Sequence, residues 1–241
     1  METNQQTQTN DKTNLVISYL TLRKAIGILG ISFPVILVIG SIVAGGYDEI
    51  QNSISDYYHT NMRNIFVGVL CAFGLFLFSY KGYDKIDNIF GNLGGIFALG
   101  VALFPTTPDS TLPIGCCHSV AINPLIGRIH LLSAALFFIV LSYFSLFLFT
   151  KTKPSKIFTD RKKLRNRVYK ICGFIMLGCI GLIAVYFLFL ENDYPQLSSI
   201  NPVFWLETLA LLAFGTSWIV KGNMILQDVG EEKKETVTPK N

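Results

Sequence analysis

The chain of 241 residues is 51% hydrophobic and only 15% charged, with a formal net charge of +4. This composition excludes an ordinary soluble domain, because the apolar residues fall in long blocks rather than in short periodic patterns. A disulfide framework is also excluded. Three of the five cysteines lie inside apolar blocks, and the other two, Cys116 and Cys117, are adjacent.

Six apolar blocks of helical length follow a polar N-terminal segment. A bilayer core about 30 Å thick needs roughly 20 apolar helical residues to cross it, and only helices or closed barrels satisfy their backbone groups in lipid. We therefore predict an all-α transmembrane domain at 21–222, between a disordered tail at 1–20 and a second tail at 223–241. The predicted spans are 25–44, 65–80, 89–104, 131–149, 171–190 and 202–220.

Two features refine these spans. The second and third blocks are short for a full crossing, so a hairpin that dips into the bilayer and returns stays open for this pair. The pairs Asn123-Pro124 and Asn201-Pro202 stand before late apolar blocks. Asn as N-cap and Pro at the first helical position are start signals, so both pairs predict helix beginnings.

The basic residues predict the orientation of the chain. Eighteen of the 20 Lys and Arg residues lie in the two tails and in the second and fourth connections; the exceptions are Arg63 and Arg128. The positive-inside rule then places both termini in the cytosol, with the protein in a plasma (inner) membrane. The connection 151–170 carries nine of these residues and serves as the orientation signal, with contact to anionic lipid headgroups as the alternative. Its pattern does not indicate nucleic-acid binding, and the oligomeric state stays open.

All three histidines lie on the predicted outer side. The first outer connection contains Ser55, Asp56 and His59, and the second contains the run Cys116-Cys117-His118 and ends at His130. Imidazole and carboxylate groups suit zinc, which lowers the pKa of a bound water toward about 7 and makes it a nucleophile. A carboxylate can take the proton of that water, and a serine hydroxyl can donate to a developing oxyanion.

These groups define a candidate site at the outer ends of the helices. We predict His59, His130 and Asp56 as zinc ligands, and catalytic roles for Ser55, Asp56 and Glu207. Glu207 lies within the last predicted span, where a carboxylate is costly and indicates function. A polar pocket without metal, no site at all, and a simple ion pair between Glu207 and Arg128 stay open as alternatives.

The sequence also resembles known families. The stretch SISDYYHTNMRNIFVGVLCAFGLFLFSYKGY at 53–83, with the later FALGVALFPTTPD, resembles an uncharacterised family of bacterial multi-span membrane proteins. More remotely, Ser55-x-x-x-His59 is similar to the Ser-x-x-x-His motif of the CREST membrane hydrolases, which include alkaline ceramidases and adiponectin-receptor-like proteins. This second resemblance implies zinc-dependent cleavage of a lipid amide, with Ser55 as oxyanion helper and His59 as ligand. That superfamily has seven spans and a His-x-x-x-His pair on the last one, which this chain lacks.

Together these observations predict a multi-pass membrane protein with an outward-facing polar pocket. One interpretation is that the pocket is the active site of a metal-dependent hydrolase acting on lipid. A non-enzymatic protein that binds or transports a lipid or small solute is the alternative, and a structural partner subunit is the third.

Overall fold

The computed structural model describes the backbone of residues 2–45, with side chains from Tyr19 to Ala44, and all of residues 50–80, 82, 84–107, 123–151 and 159–226. This part of the chain is all-helical. Its long helices are α1 (Glu2–Gly45), α2 (Arg63–Ser79), α3 (Lys85–Leu103), α4 (Pro124–Tyr143), α5 (Asp160–Val185) and α6 (Pro202–Lys221). Short 3₁₀ turns occupy Ser55–His59 and Pro195–Ile200, and π-helical turns extend α4 over Phe144–Leu148 and α5 over Tyr186–Leu190.

Within the described residues, five helical segments are long and apolar enough to cross a membrane. They are Tyr19–Ala44, Lys85–Leu103, Pro124–Leu148, Asp160–Leu190 and Pro202–Lys221. Helix α2 is also apolar but has only 17 residues. The all-α fold is therefore confirmed, and the five apolar helices are compatible with a multi-pass membrane protein. The sixth span, the membrane and the orientation of the termini stay predictions.

The helix ends differ in part from the sequence expectation. The backbone is already helical at Glu2, whereas the sequence predicted a disordered tail there. Helix α5 begins at Asp160, with the Thr159 hydroxyl accepting a hydrogen bond from the Lys162 amide, so the second half of the basic connection is helix. The N-cap predicted at Asn123 is confirmed, because its side-chain oxygen accepts from the amide of Leu125 at 3.0 Å.

The helices pack in a closed order. Helix α2 packs on α3, α3 on α4, α4 on α5, α5 on α6, and α6 on α1. Trp218 of α6 is fully buried in the middle of an aromatic cluster that includes Phe76, Phe144 and Phe149, with ring centroids 4.9–5.8 Å from its own. Between α1 and α6, a Cβ at Gly215 would lie 2.5 Å from the backbone oxygen of Gly27. The close approach of these two helices therefore requires glycine.

The connections gather at two opposite ends of the bundle. At one end, Lys151 forms ion pairs with Asp84 and Asp87, and the carbonyl oxygen of Phe149 accepts from the ammonium group of Lys221. At the other end lie residues 50–62, the end of α3 and the start of α6. Helix α2 joins the two ends, so it runs the length of the bundle.

Candidate functional site

The segment before α2, which is predicted to be the first outer connection and keeps that name below, is fixed to the N-terminal end of α6 by three hydrogen bonds. The side-chain amide of Asn201 donates to the carbonyl of Ile50 at 3.1 Å, and the Phe204 amide donates to the carbonyl of Asn52 at 3.0 Å. The amide of Ile54 donates to Oε2 of Glu207 at 2.6 Å. We call these three contacts the loop clamp. They satisfy backbone groups at a helix start and place the next residues of the chain.

Helix α6 begins at Pro202 with Asn201 at the N-cap position, as predicted, but Asn201 does not cap the helix through its side chain. Its backbone is left-handed, with φ 48° and ψ 56°, and its side chain forms no cap hydrogen bond. Asn is one of the few non-glycine residues that adopt this conformation readily. The turn directs its side chain to the first outer connection instead, so the residue acts within the loop clamp.

The 3₁₀ turn Ser55–His59 carries a chain of side-chain hydrogen bonds. Nε2 of His59 lies 2.9 Å from the carbonyl oxygen of Thr106 and 3.0 Å from its hydroxyl oxygen. A carbonyl oxygen only accepts, so Nε2 of His59 carries the proton and donates. The Thr106 hydroxyl in turn donates to Oδ1 of Asp56 at 3.2 Å. Burial raises the pKa of the Asp56 carboxyl, while hydrogen bonds from Ser53 and Thr106 act in the opposite direction.

His130 is held differently from His59. It is 3% exposed, and its Nδ1 lies 2.6 Å from the carbonyl oxygen of Phe104 at the end of α3. Nδ1 therefore carries a proton, and in the neutral ring Nε2 presents a lone pair. That Nε2 is buried and has no hydrogen-bond partner within the described structure. A buried acceptor without a partner is costly, which indicates that a donor belongs beside it.

A cavity of about 680 Å³ brings most of these groups together. Its volume is in the range of small-molecule sites. Its lining combines polar groups with apolar side chains from α4, α5 and α6. The polar lining consists of Asn52, Ser53, Ser55, Asp56, Thr106, Thr107, His130, Glu191, Ser198, Asn201 and Glu207. The apolar lining includes Leu131, Ala134, Ile183, Tyr186, Phe187 and Val203.

The predicted site residues are therefore brought near one another. Ser55, Asp56, His130 and Glu207 all line the cavity, whereas His59 does not and reaches Asp56 through Thr106. Glu207 accepts from the Ile54 amide rather than pairing with a guanidinium group. The catalytic roles of Ser55, Asp56 and Glu207 stay predictions. The run Cys116-Cys117-His118 lies outside the described residues.

Zinc binding was tested against the geometry of the proposed ligands. His130 has the arrangement of many metal-binding histidines, with Nδ1 bound to a carbonyl and Nε2 available. Nε2 of His59 donates to Thr106, so this residue could bind a metal only through Nδ1. In the part of the chain that the structure describes, no three His, Cys, Asp or Glu side chains form a metal-binding group. The described residues thus do not supply a three-ligand zinc site, and zinc stays a prediction.

Sequence reasoning missed the residues that hold the site together. Thr106 bridges His59 and Asp56, and the carbonyl of Phe104 fixes the His130 ring. Both belong to the segment that follows α3, where two threonines stand between prolines. Polar residues in a short segment between prolines at the end of a predicted span could have indicated that Thr106 belongs to the site. The carbonyl of Phe104 gave no such indication, since every residue carries one.

Comparison of the chain with protein families, curated proteins and solved structures finds no match, so neither resemblance drawn from its motifs gains support there.

Proposed function

We propose that this protein crosses a plasma membrane six times, with both termini in the cytosol, and binds an amphipathic ligand of lipid type in the cavity on its outer side. The topology is supported by the separation of basic residues and by α2, which joins the two ends of the bundle. Its 17 residues extend about 25 Å, close to the thickness of a bilayer core.

The observation that carries the binding function is the mixed lining of the cavity. The loop clamp and the 3₁₀ turn contribute polar groups, whereas α4 and α5 contribute apolar side chains, which we call the apolar wall. Leu131, on the apolar wall, is 49% exposed, so this wall continues to the lipid-facing surface. A molecule with a polar head and an apolar chain matches such a lining better than a fully polar solute does.

Hydrolysis requires more than this lining supplies. A metal-dependent mechanism needs ligands that converge, and no three His, Cys, Asp or Glu side chains do so in the described part of the chain. Binding is therefore the function that the contacts favour, and transport of the bound ligand is compatible with it.

A substitution that fills the cavity tests whether the ligand binds there. Ala134 lies on the apolar wall, so Ala134→Trp places a large side chain in the space of the ligand. Ile139→Trp is the matched control, because Ile139 lies on the same helix and is 43% exposed. We expect wild type and Ile139→Trp to retain an amphipathic molecule through purification, detected by mass spectrometry, and Ala134→Trp to lose it. Equal occupancy in all three proteins, including none in any, contradicts the proposal.

A further inference from the structure

The charges that line the cavity are all of one sign. Asp56, Glu191 and Glu207 contribute carboxyl groups, and none of the described lining residues is Lys or Arg. The segment 108–122, between α3 and α4, contains no Lys or Arg in its sequence. Of the outer basic residues, Arg63 donates to the Tyr58 hydroxyl at 2.6 Å and Arg128 is exposed. The polar part of the cavity therefore favours positive charge and opposes an anion.

Acceptor groups that suit such a cation line the same cavity. Nε2 of His130 is a buried lone pair without a partner in the described structure, and the carboxyl oxygens of Asp56 and Glu207 accept as well. Asp56 and Glu207 are close enough to affect each other electrostatically. Two such carboxylates repel when ionised, and a cation between them removes that repulsion. A ligand that carries both positive charge and several N–H donors meets all of these requirements.

We propose that the cavity takes a ligand whose polar end is a primary ammonium group, which donates to Nε2 of His130 and to the carboxylates of Asp56 and Glu207. This inference rests on the proposed binding function and names the chemical class of the ligand. A primary ammonium has three N–H donors and a compact charge, while its chain lies along the apolar wall. A hydroxyl supplies one donor without charge, and a trimethylammonium supplies charge without a donor.

Four probes with the same twelve-carbon chain separate these properties. Binding of dodecylamine, dodecyltrimethylammonium, dodecanol and dodecyl phosphate is measured by calorimetry with the full chain in phosphatidylcholine nanodiscs, against empty nanodiscs. We expect dodecylamine to bind about tenfold or more tightly than any of the other three probes. A hydrogen bond that involves a charged group contributes roughly that factor to the affinity. Phosphate binding as tight as the amine, or equal affinities of the amine and the trimethylammonium, would overturn the inference.

Two variants connect this preference to named atoms. His130→Phe keeps a ring but removes one acceptor, so the affinity for dodecylamine should fall toward that of the trimethylammonium probe, whose own affinity should not change. Asp56→Asn removes a charge, so both cations should bind more weakly while dodecanol is unchanged. An amine preference that survives both substitutions contradicts the assignment. If a variant fails to fold, the ranking of the probes on wild type still decides the inference.

The Ala134→Trp variant separates failure of this inference from failure of the proposed function. If it leaves the affinity of all four probes unchanged, the cavity is not the binding site and both proposals fail. If it abolishes binding while wild type does not distinguish the probes, only the ammonium assignment fails. Phosphatidylethanolamine in the nanodiscs then distinguishes two sources of the same chemistry. Displacement of dodecylamine indicates a lipid headgroup, and no displacement indicates a free long-chain amine.

Discussion

The contact between Glu207 and the Ile54 amide can be tested with two neutral substitutions. In Glu207→Gln the side-chain oxygen can still accept from the amide, and in Glu207→Leu no acceptor remains. Both variants lack the charge, so their difference isolates the acceptor. Ile54 is 4% exposed, and its amide would be left without a partner in the leucine variant. A buried unsatisfied donor costs about 1–3 kcal/mol.

The expected change in thermal stability follows from this cost. For a chain of this size, 1 kcal/mol shifts Tm by about 2–4 °C, so Glu207→Leu should melt roughly 2–12 °C below Glu207→Gln. Tryptophan fluorescence in one detergent can follow the transition, because Trp218 is fully buried in the core. Glu191→Leu is the control. Glu191 is exposed, so its replacement should change stability by no more than about 0.5 kcal/mol.

Hydrogen exchange gives a local measurement of the same contact. Loss of the acceptor should speed exchange of the Ile54 amide by about 5- to 150-fold, the equivalent of 1–3 kcal/mol. The reasoning is refuted if Glu207→Leu and Glu207→Gln melt together and protect this amide equally. In that case the loop clamp would not depend on the carboxyl group.

Three further predictions concern other parts of the chain. In a background without native cysteines, a cysteine at Ser53 should react with an impermeant thiol reagent in intact cells and one at Asp84 should not; labelling of both contradicts six crossings. Asp87→Ala should lower Tm more than Asp84→Ala, because Lys151 pairs with both but only Asp87 is buried, and equal losses would contradict this. Burial raises the pKa of the Asp56 carboxyl, so the native state binds its proton up to a higher pH than the unfolded chain does. The stability of wild type relative to Asp56→Asn should therefore fall as pH rises above about 4, and a rise would refute the argument.

The helices were predictable because their signal is local and strong. Long apolar blocks and the Asn123-Pro124 pair are both signals carried by neighbouring residues. The ends were less predictable. Helix α5 begins as early as Asp160, because charged residues have adequate helix propensity once Thr159 caps the helix. Hydropathy does not indicate helix propensity in such a charged segment.

The grouping of the candidate site followed from topology, since the outer ends of the helices meet at one end of the bundle. The hydrogen bonds within the site could not be predicted from topology. Whether His59 presents Nε2 to a ligand depends on Thr106, which is 47 residues away in sequence. Whether His130 keeps a free Nε2 depends on the Phe104 carbonyl, 26 residues away. Such contacts depend on how α3, α4 and the first outer connection pack together, and no local pattern specifies them.

The proposed ligand binding would be coupled to the structure of the first outer connection. Glu207 holds the Ile54 amide and also lines the cavity, and Asp56 stands two residues beyond Ile54. A cation that attracts both carboxyl groups acts on the same segment that the loop clamp fixes. By linkage, a ligand that binds only the clamped state stabilises that state by an amount that grows with its concentration. Protection of the Ile54 amide should then increase with added dodecylamine, because the ligand and the clamp share one carboxyl group.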